Sequence, residues 1–398
     1  MKPEYSAVLL RYGEIGIKSR QTRRRMTAML VRHLKSSLEE NSVHFSNIRE
    51  EFGRIFIETD EALEAAEVAS RIFGLVSTSP VVVTSADLKM ILEKGEDVAR
   101  EAFDRDCSFA VRARRMGQHE FSSQDIREKL GERILTGLSD MNLTVNLDSP
   151  HQTVYVEVRH NRSYLYTDII DGVGGMPTGT QGKVVCTISG GLDSPVAAYK
   201  VMKRGCIPVF LFFDNIPFGD ELTKEIAIKQ AKRLVEYIHN HEVKMYVVPH
   251  REDLIDVLEN TPRRMTCIFC RRNMYRLAQE VALREGADAI VTGEIIGEQA
   301  SQTTRNLRVE SEGVCKIPIL RPCIGDDKVD VERVAREIGT YDLAAEAPSC
   351  CSLPPKWPVV HAHLDDVGKH DGQLDLDILE DEVSQARVMV LRGDHTDD

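Results

Sequence analysis

Two groups of residues in this chain have types and spacing suited to chemistry. The first is Ser189-Gly190-Gly191-Leu192-Asp193-Ser194, which follows an apolar, β-branched run at 183–188 and precedes a helical pattern opening at Pro195. A Gly-Gly pair between a strand end and a helix start lets backbone N–H groups converge on an anion. Ser189 and Ser194 add hydroxyl donors. Asp193 is unwelcome beside a bare phosphate, so it implies a bridging Mg²⁺ or a helix cap. The loop is not a Walker A sequence, since no G-x-x-x-x-G-K-[ST] occurs.

The second group is made of cysteines. Cys267-Ile268-Phe269-Cys270 is flanked by Arg263, Arg264, Arg271 and Arg272, and Cys350-Cys351 lies far along the chain. A C-x-x-C serves as a redox pair, half a zinc site or a ligand pair for an iron–sulfur cluster. Zinc favours four closed ligands, and neither a second C-x-x-C nor an H-x-x-x-H accompanies this one. A thioredoxin-type role fits poorly, because the pair precedes a helix in a nucleotide-binding pattern. Adjacent cysteines rarely aim both sulfurs at one centre, so the pair 350–351 holds one functional thiol and one bystander. Cys107, Cys186, Cys206, Cys315 and Cys323 read as buried small hydrophobes.

Three regions must position these residues. Residues 1–75 run strand, helix, strand, strand, helix, which suits a ferredoxin-like α+β sandwich. Residues 76–172 have their own α/β pattern, from the strand at 80–84 to the strand Ser163-Tyr164-Leu165-Tyr166-Thr167-Asp168. A Gly/Pro-rich linker follows. From 173 to 360 the chain is regular α/β, with apolar strands at 183–188, 206–213, 243–249, 288–292 and 316–320. That pattern predicts a five-stranded, mostly parallel doubly wound sheet with the glycine loop after its first strand.

Length and charge add bounds. At 398 residues the chain suits two or three domains, and no apolar run is long enough to span a membrane. Nine cysteines, an odd number, do not form a disulfide framework, and the expected location is cytoplasmic. The net charge is −12, but residues 361–398 hold eleven acidic and three basic side chains and account for −8 of it. That segment reads as a flexible or loosely helical acidic tail. Basic clusters at Arg20/Arg23/Arg24/Arg25, Arg112/Arg114/Arg115, Arg263/Arg264 and Arg271/Arg272 make an anionic partner plausible.

The SGG-x-DS form resembles the pyrophosphate (PP) loop of ATP pyrophosphatases, which split ATP between its α- and β-phosphates. The chain from about 8 to 360 resembles the tRNA 4-thiouridine synthetase (tRNA sulfurtransferase) family. The resemblance lies in Leu10-Arg11-Tyr12-Gly13-Glu14-Ile15, in the stretch Phe109 to Gly117 with Phe121-Ser122-Ser123, and in Gly174-Gly175-Met176-Pro177-Thr178-Gly179. It continues through Ser189 to Ala198 and Thr292-Gly293-Glu294 to Thr303. It implies a THUMP RNA-binding domain at 76–172 and a PP-loop catalytic domain at 173–360.

The resemblance also implies ATP contacts at Thr187, Ile188, Ser189, Gly190, Gly191, Asp193, Ser194, Phe212, Phe213, Arg271, Gly293 and Gln302. It implies tRNA contacts through Arg23, Arg24, Arg25, Arg112, Arg114 and Arg115, and catalysis by Asp193 and Cys351 or Cys350. Some members of the family carry a rhodanese domain that supplies persulfide, whereas those with a C-x-x-C and no such domain resemble iron–sulfur enzymes. Cys267, Cys270 and Cys351 are then the expected cluster ligands, with one iron open to carry sulfide. Arginines beside them would stabilise thiolate. ATP, Mg²⁺ and the cluster are the implied cofactors. The implied partners are tRNA and a sulfur donor, either sulfide or a cysteine-desulfurase persulfide, with a homodimer as the candidate assembly. The expected reaction adenylates O4 of the eighth nucleotide and exchanges it for sulfur. Two readings compete: another adenylating tRNA thiolation enzyme acting at position 2 of the base, and a tRNA-binding protein without this activity. The family's link to thiamine's thiazole finds no residue here that addresses it.

Overall fold

In the computed structural model residues 3–51, 53–347 and 351–392 are described, and the chain divides into two units, Met1–Gly175 and Met176–Asp398. The first unit opens with strands β1 (Ala7–Tyr12), β2 (Asn47–Glu51), β3 (Arg54–Glu58) and β4 (Leu75–Ser85), and helices α1 (Arg20–Glu40) and α2 (Ala62–Ser70). Ser19 caps α1 by accepting the Thr22 N–H, and Leu30, Leu34 and Leu38 at helical spacing form its buried face. Strands β5 (Ser108–Met116), β6 (Thr144–Val145), β7 (Gln152–Arg159), β8 (Arg162–Tyr166) and β9 (Ile170–Asp171) follow, with α3 (Leu88–Ala102) and α4 (Ser123–Gly137). A capping box of Ser122 and Asp125 starts α4.

Among the described residues these nine strands form one sheet in the order β2-β3-β1-β4-β8-β7-β5-β6, with β9 on β4. The boundary expected after residue 75 falls at the first residue of β4. β4 pairs with β1 from Leu75 to Val81 and with β8 from Val82 to Ser85, so one strand closes the ferredoxin-like unit and opens the next. A period-two pattern cannot reveal that a strand changes partners along its length.

The second unit has the expected parallel strands β10 (Lys183–Thr187), β11 (Ile207–Asp214), β12 (Val243–Pro249), β13 (Ile290–Val291) and β14 (Ile319–Leu320), in the order β14-β13-β10-β11-β12. Helices α5 (Asp193–Met202), α6 (Glu221–Val235), α7 (Glu252–Asn260), α8 (Thr266–Glu285) and α9 (Thr304–Ser311) run between them, and α10 (Lys328–Glu337) and α11 (Tyr341–Ala345) follow.

The acidic tail departs from expectation. Its described residues form α12 (Leu364–Asp371), α13 (Asp377–Ser384) and β15 (Arg387–Leu391), the last a sixth, antiparallel strand beside β12. The excess negative charge conceals an apolar stripe. Leu379 and Val383 pack with Tyr246, Leu277 and Val281, while Val367 and Leu374 pack with Phe269. Burial of these side chains offsets the entropy of ordering the segment, which composition alone did not indicate.

Cys186, Cys206 and Cys323 are buried as expected, but Cys107 is half-buried and Cys315 exposed. The glycine-rich stretch is not a free linker: Gly172 and Gly174 donate to Val76 and Leu75 carbonyls, while Met176 and Gly179 donate to those of Lys203 and Gly205. No helix among the described residues is long and apolar enough to cross a membrane.

Candidate active site

The carboxyl ends of β10, β11 and β13 open onto a cavity of about 270 Å³, where doubly wound sheets bind ligands. Its wall includes Thr187, Ile188, Ser189, Asp193 and Ser194, then Phe212 and Phe213, and Arg271, Gly293 and Gln302. Cys267, Cys270 and Cys351 line the same cavity. Residues from five separate stretches of chain thus meet in one place. Cys350 lies outside the described residues.

The glycine loop is held by its own side chains. Ser189 N–H donates to Ser194 Oγ at 3.0 Å, the two hydroxyls lie 3.1 Å apart, and Gly191 N–H donates to Ser189 Oγ at 3.3 Å. The serines therefore shape the loop as well as facing the cavity. Gly190 takes φ +79°, and a Cβ there would meet Thr223 O at 2.9 Å. Gly190 and Gly191 do not line the cavity; their carbonyls accept both bonds of the Gln230 amide at 3.1 Å. Gly293 has a packing role, since a Cβ there would meet Ser194 N at 2.8 Å.

Asp193 is the first residue of α5 and makes no capping bond, which removes one of its two expected roles. Its carboxylate instead sits 2.7 Å from Lys328 Nζ, the first residue of α10, which also pairs with Glu298. Burial pushes the Asp193 carboxyl above its ordinary value, with Lys328 pulling it back down. Lys328 follows Gly325-Asp326-Asp327 in a stretch with no recognisable motif, so sequence reasoning missed it.

Arg271 lies 2.9 Å from Glu294, which also accepts from Tyr275 Oη at 2.5 Å and from the Thr292 hydroxyl, and lies 3.3 Å from Arg321 Nε. Burial pushes the Glu294 carboxyl up, but Arg271 and these hydrogen bonds outweigh it and hold it below its ordinary value. Arg271 is therefore fixed in place and shares its charge with Glu294. Arg272 is committed too, to Asp371 at 2.9 Å and to the Val309 carbonyl. Arg271 and Arg272 thus serve carboxylates, Arg263 donates to the Thr266 hydroxyl at 3.2 Å, and His250 Nε2 lies 3.5 Å from Cys270 Sγ.

Glu310, beside Arg271 and Glu294, is fully buried with neither carboxylate oxygen hydrogen-bonded. Burial pushes it up to about 8, with Arg271 and Arg321 pulling down and Glu294 pushing up. An unfolded glutamate ionises near about 4.3. Between those values the folded chain holds a proton that the unfolded chain has lost, so this group makes stability fall as pH rises through that window. Glu310→Gln should therefore raise the Tm more near pH 8 than near pH 5 in thermal denaturation. Equal shifts at both would mean that Glu310 is ionised in the fold.

Three buried polar atoms on the cavity wall have no hydrogen-bond partner: Asn215 Oδ1, Thr223 Oγ1 and Gln302 Oε1. Such groups are costly unless a ligand meets them. Asn215 and Thr223 are additions that no sequence motif marked. Cys267 stands in the first turn of α8, where an anionic group is favoured, and Cys270 at the start of the second, rather than before the helix. Among the described residues the three cavity thiols do not form a group within 4.8 Å, as ligands of one ion would. A donor set of three thiols on one wall is of the chemistry that iron–sulfur clusters take.

In the first unit, Arg112 and Arg114 share one face of β5 and line a groove of about 1070 Å³ with Arg11 and Arg127. Arg11 and Arg127 were not anticipated. Within the groove Tyr155 and Tyr166 stack at 5.1 Å, with Arg11 over the Tyr166 ring at 4.9 Å. Arg115 projects to the other face and donates to the Gly117 carbonyl. Arg24 and Arg25 are exposed on α1, whereas Arg23 is half-buried and donates to the Gly16 carbonyl.

Comparison with known proteins is consistent across the chain. Residues 179–376 match the family model of the thiamine biosynthesis protein ThiI, residues 85–168 the THUMP domain and residues 7–79 the ThiI ferredoxin-like domain. A probable tRNA sulfurtransferase of Methanosarcina mazei is 37% identical over 98% of this chain and 96% of its own length. One of Methanothermobacter thermautotrophicus is 39% identical over 89% of this chain and 90% of its own. A solved 4-thiouridine synthetase–RNA complex with bound ATP aligns at a TM-score of 0.86 and 30% identity, covering 98% of this chain and 100% of that one. Likeness of this extent, in all three domains and across both units, makes the chain a member of the tRNA sulfurtransferase (ThiI) family.

Proposed function

We propose that this protein uses ATP to adenylate O4 of the uridine at the eighth position of tRNA and replaces that oxygen with sulfur. The observation that carries the reading is the single cavity shared by the Ser189–Ser194 loop, three orphaned polar atoms and three cysteines. O4 attacks the α-phosphorus, the bond to the β-phosphate oxygen breaks, pyrophosphate leaves, and N3 gives up its proton. Hydrosulfide then adds to C4, the C4–O bond breaks, AMP leaves, and the hydrosulfide proton returns to N3.

In this mechanism the N-terminal end of α5 at Asp193 and Ser194, together with Lys328, faces the phosphates, and Asp193 holds Mg²⁺ or orients Lys328. Gln302, Asn215 and Thr223 meet the polar edge of the nucleotide, with Phe212 and Phe213 as an apolar wall. Cys267, Cys270 and Cys351 would hold an iron–sulfur cluster, whose chemistry would be to present sulfide at an open iron. The sulfur source is sulfide or a cysteine-desulfurase persulfide, and a homodimer is the candidate assembly. In the first unit, Arg112, Arg114 and Arg11 bind tRNA phosphates and recognise its shape.

The test is anaerobic incubation of the full chain with ATP, tRNA and sulfide, with nucleosides read by mass. 4-Thiouridine is expected at position 8 and absent from a transcript with cytidine there; thiolation at position 2 would favour the competing reading. Neutralising Arg112 and Arg114 together should weaken tRNA binding and lower its log–log salt slope by about two units, roughly 0.9 per phosphate contact. An unchanged slope would move RNA recognition to Arg23, Arg24 and Arg25.

A further inference from the structure

His250, Asp253 and Glu382 are each buried, with 0%, 2% and 3% of the surface exposed. They come from the end of β12, the start of α7 and the middle of α13. One ligand atom of each lies within 4.8 Å of the others, and His250 Nδ1, Asp253 Oδ2 and Glu382 Oε2 face one another and no other hydrogen-bond partner. Three buried polar atoms that are satisfied only by one another make a candidate ligand set.

The other side of each group is tied down. His250 Nε2 lies 3.5 Å from Cys270 Sγ, Asp253 Oδ1 accepts from the Asn273 amide, and Glu382 Oε1 accepts the Asp253 N–H at 3.1 Å. That is how outer partners orient metal ligands, fixing the tautomer so that the inner nitrogen is free to coordinate. The spacing agrees. Nδ1 lies 3.0 Å from Asp253 Oδ2 and 3.8 Å from Glu382 Oε2. Two ligands of a tetrahedral ion at about 2.0–2.1 Å stand roughly 3.3 Å apart, between those values. Two buried carboxylates beside one imidazole leave a negative charge in excess even when the imidazole is protonated. His250 is the one positive charge among the principal ones acting on Asp253, with Glu382 and Asp256 opposing it.

We propose that His250, Asp253 and Glu382 form a buried site for one divalent ion of the zinc class. The donor set of one nitrogen and two oxygens, with no thiolate, separates it from the cysteine-lined cavity. The ion would pin α13 to the sheet and hold His250 against Cys270. Glu382 belongs to the acidic segment and lies beyond residue 376, where the ThiI match ends. The site stands independently of the thiolation reading.

The test uses the full chain with Cys267, Cys270 and Cys351 replaced by serine, so that thiolates do not compete for metal. After chelator treatment it is titrated with Zn²⁺ alone. One ion per chain should bind and raise the Tm. Glu382→Gln in that background should weaken binding by more than about 100-fold and cancel the rise. Should Glu382→Gln fail to fold by far-UV circular dichroism, His250→Gln is read in its place. Cobalt bound there should show only weak visible bands, without sulfur-to-metal charge transfer. Absence of stoichiometric zinc, or affinity unchanged in the folded variant, overturns the site.

Discussion

Asp193→Ala is expected to slow ATP-dependent release of AMP and pyrophosphate by roughly 10³-fold while leaving tRNA affinity within a few-fold. Preorganised charge at a reacting phosphate typically contributes about 10²–10³ in rate, and Asp193 adds control of Lys328 to its own charge. The two residues meet at 2.7 Å, so removing the carboxylate leaves Lys328 to Glu298. Lys328→Ala should give a loss of similar size, and the double variant should be little worse than either, since the pair acts as a unit. Pyrophosphate release and tRNA binding are measured separately on each variant. Equal loss of both in Asp193→Ala would mean that the loop is a structural element, and the adenylation mechanism would fall.

Cys351→Ala should abolish thiolation while the ATP-dependent half-reaction continues, because the thiols serve the sulfur step and the Ser189–Ser194 loop the phosphates. Cys267→Ala and Cys270→Ala should remove both activity and iron from protein prepared and reconstituted without oxygen, three thiolates being the fewest that leave one iron open. Iron and sulfide content is quantified on each variant, beside the nucleoside product. Cys350→Ala should be milder. If Cys350→Ala is dead and Cys351→Ala is not, the two roles are exchanged. A sample free of iron that still thiolates tRNA from a persulfide donor would reduce Cys351 to a persulfide carrier and end the cluster proposal.

What the sequence determined by itself is the local grammar of the fold and the identity of the reactive groups. The run at 183–188, the glycine loop and the helix after it form a contiguous signal, and contiguous signals need no tertiary information. The order of strands 183–188, 206–213, 243–249, 288–292 and 316–320 was legible for the same reason, as was the C-x-x-C.

The tertiary structure decided the rest. It showed that β4 serves two neighbours, that Leu379 and Val383 anchor a segment whose charge suggested disorder, and that β15 adds a strand to the sheet. It paired Lys328 with Asp193, committed Arg271 to Glu294, and left Asn215, Thr223 and Gln302 with orphaned atoms on one wall. It also gathered His250, Asp253 and Glu382, of which the first and last are 132 positions apart in sequence. Hydrogen bonds and ion pairs depend on distances of about 3 Å between atoms, and periodicity along a chain carries no information about such distances between remote segments. Only the packing of the sheet and its helices sets them.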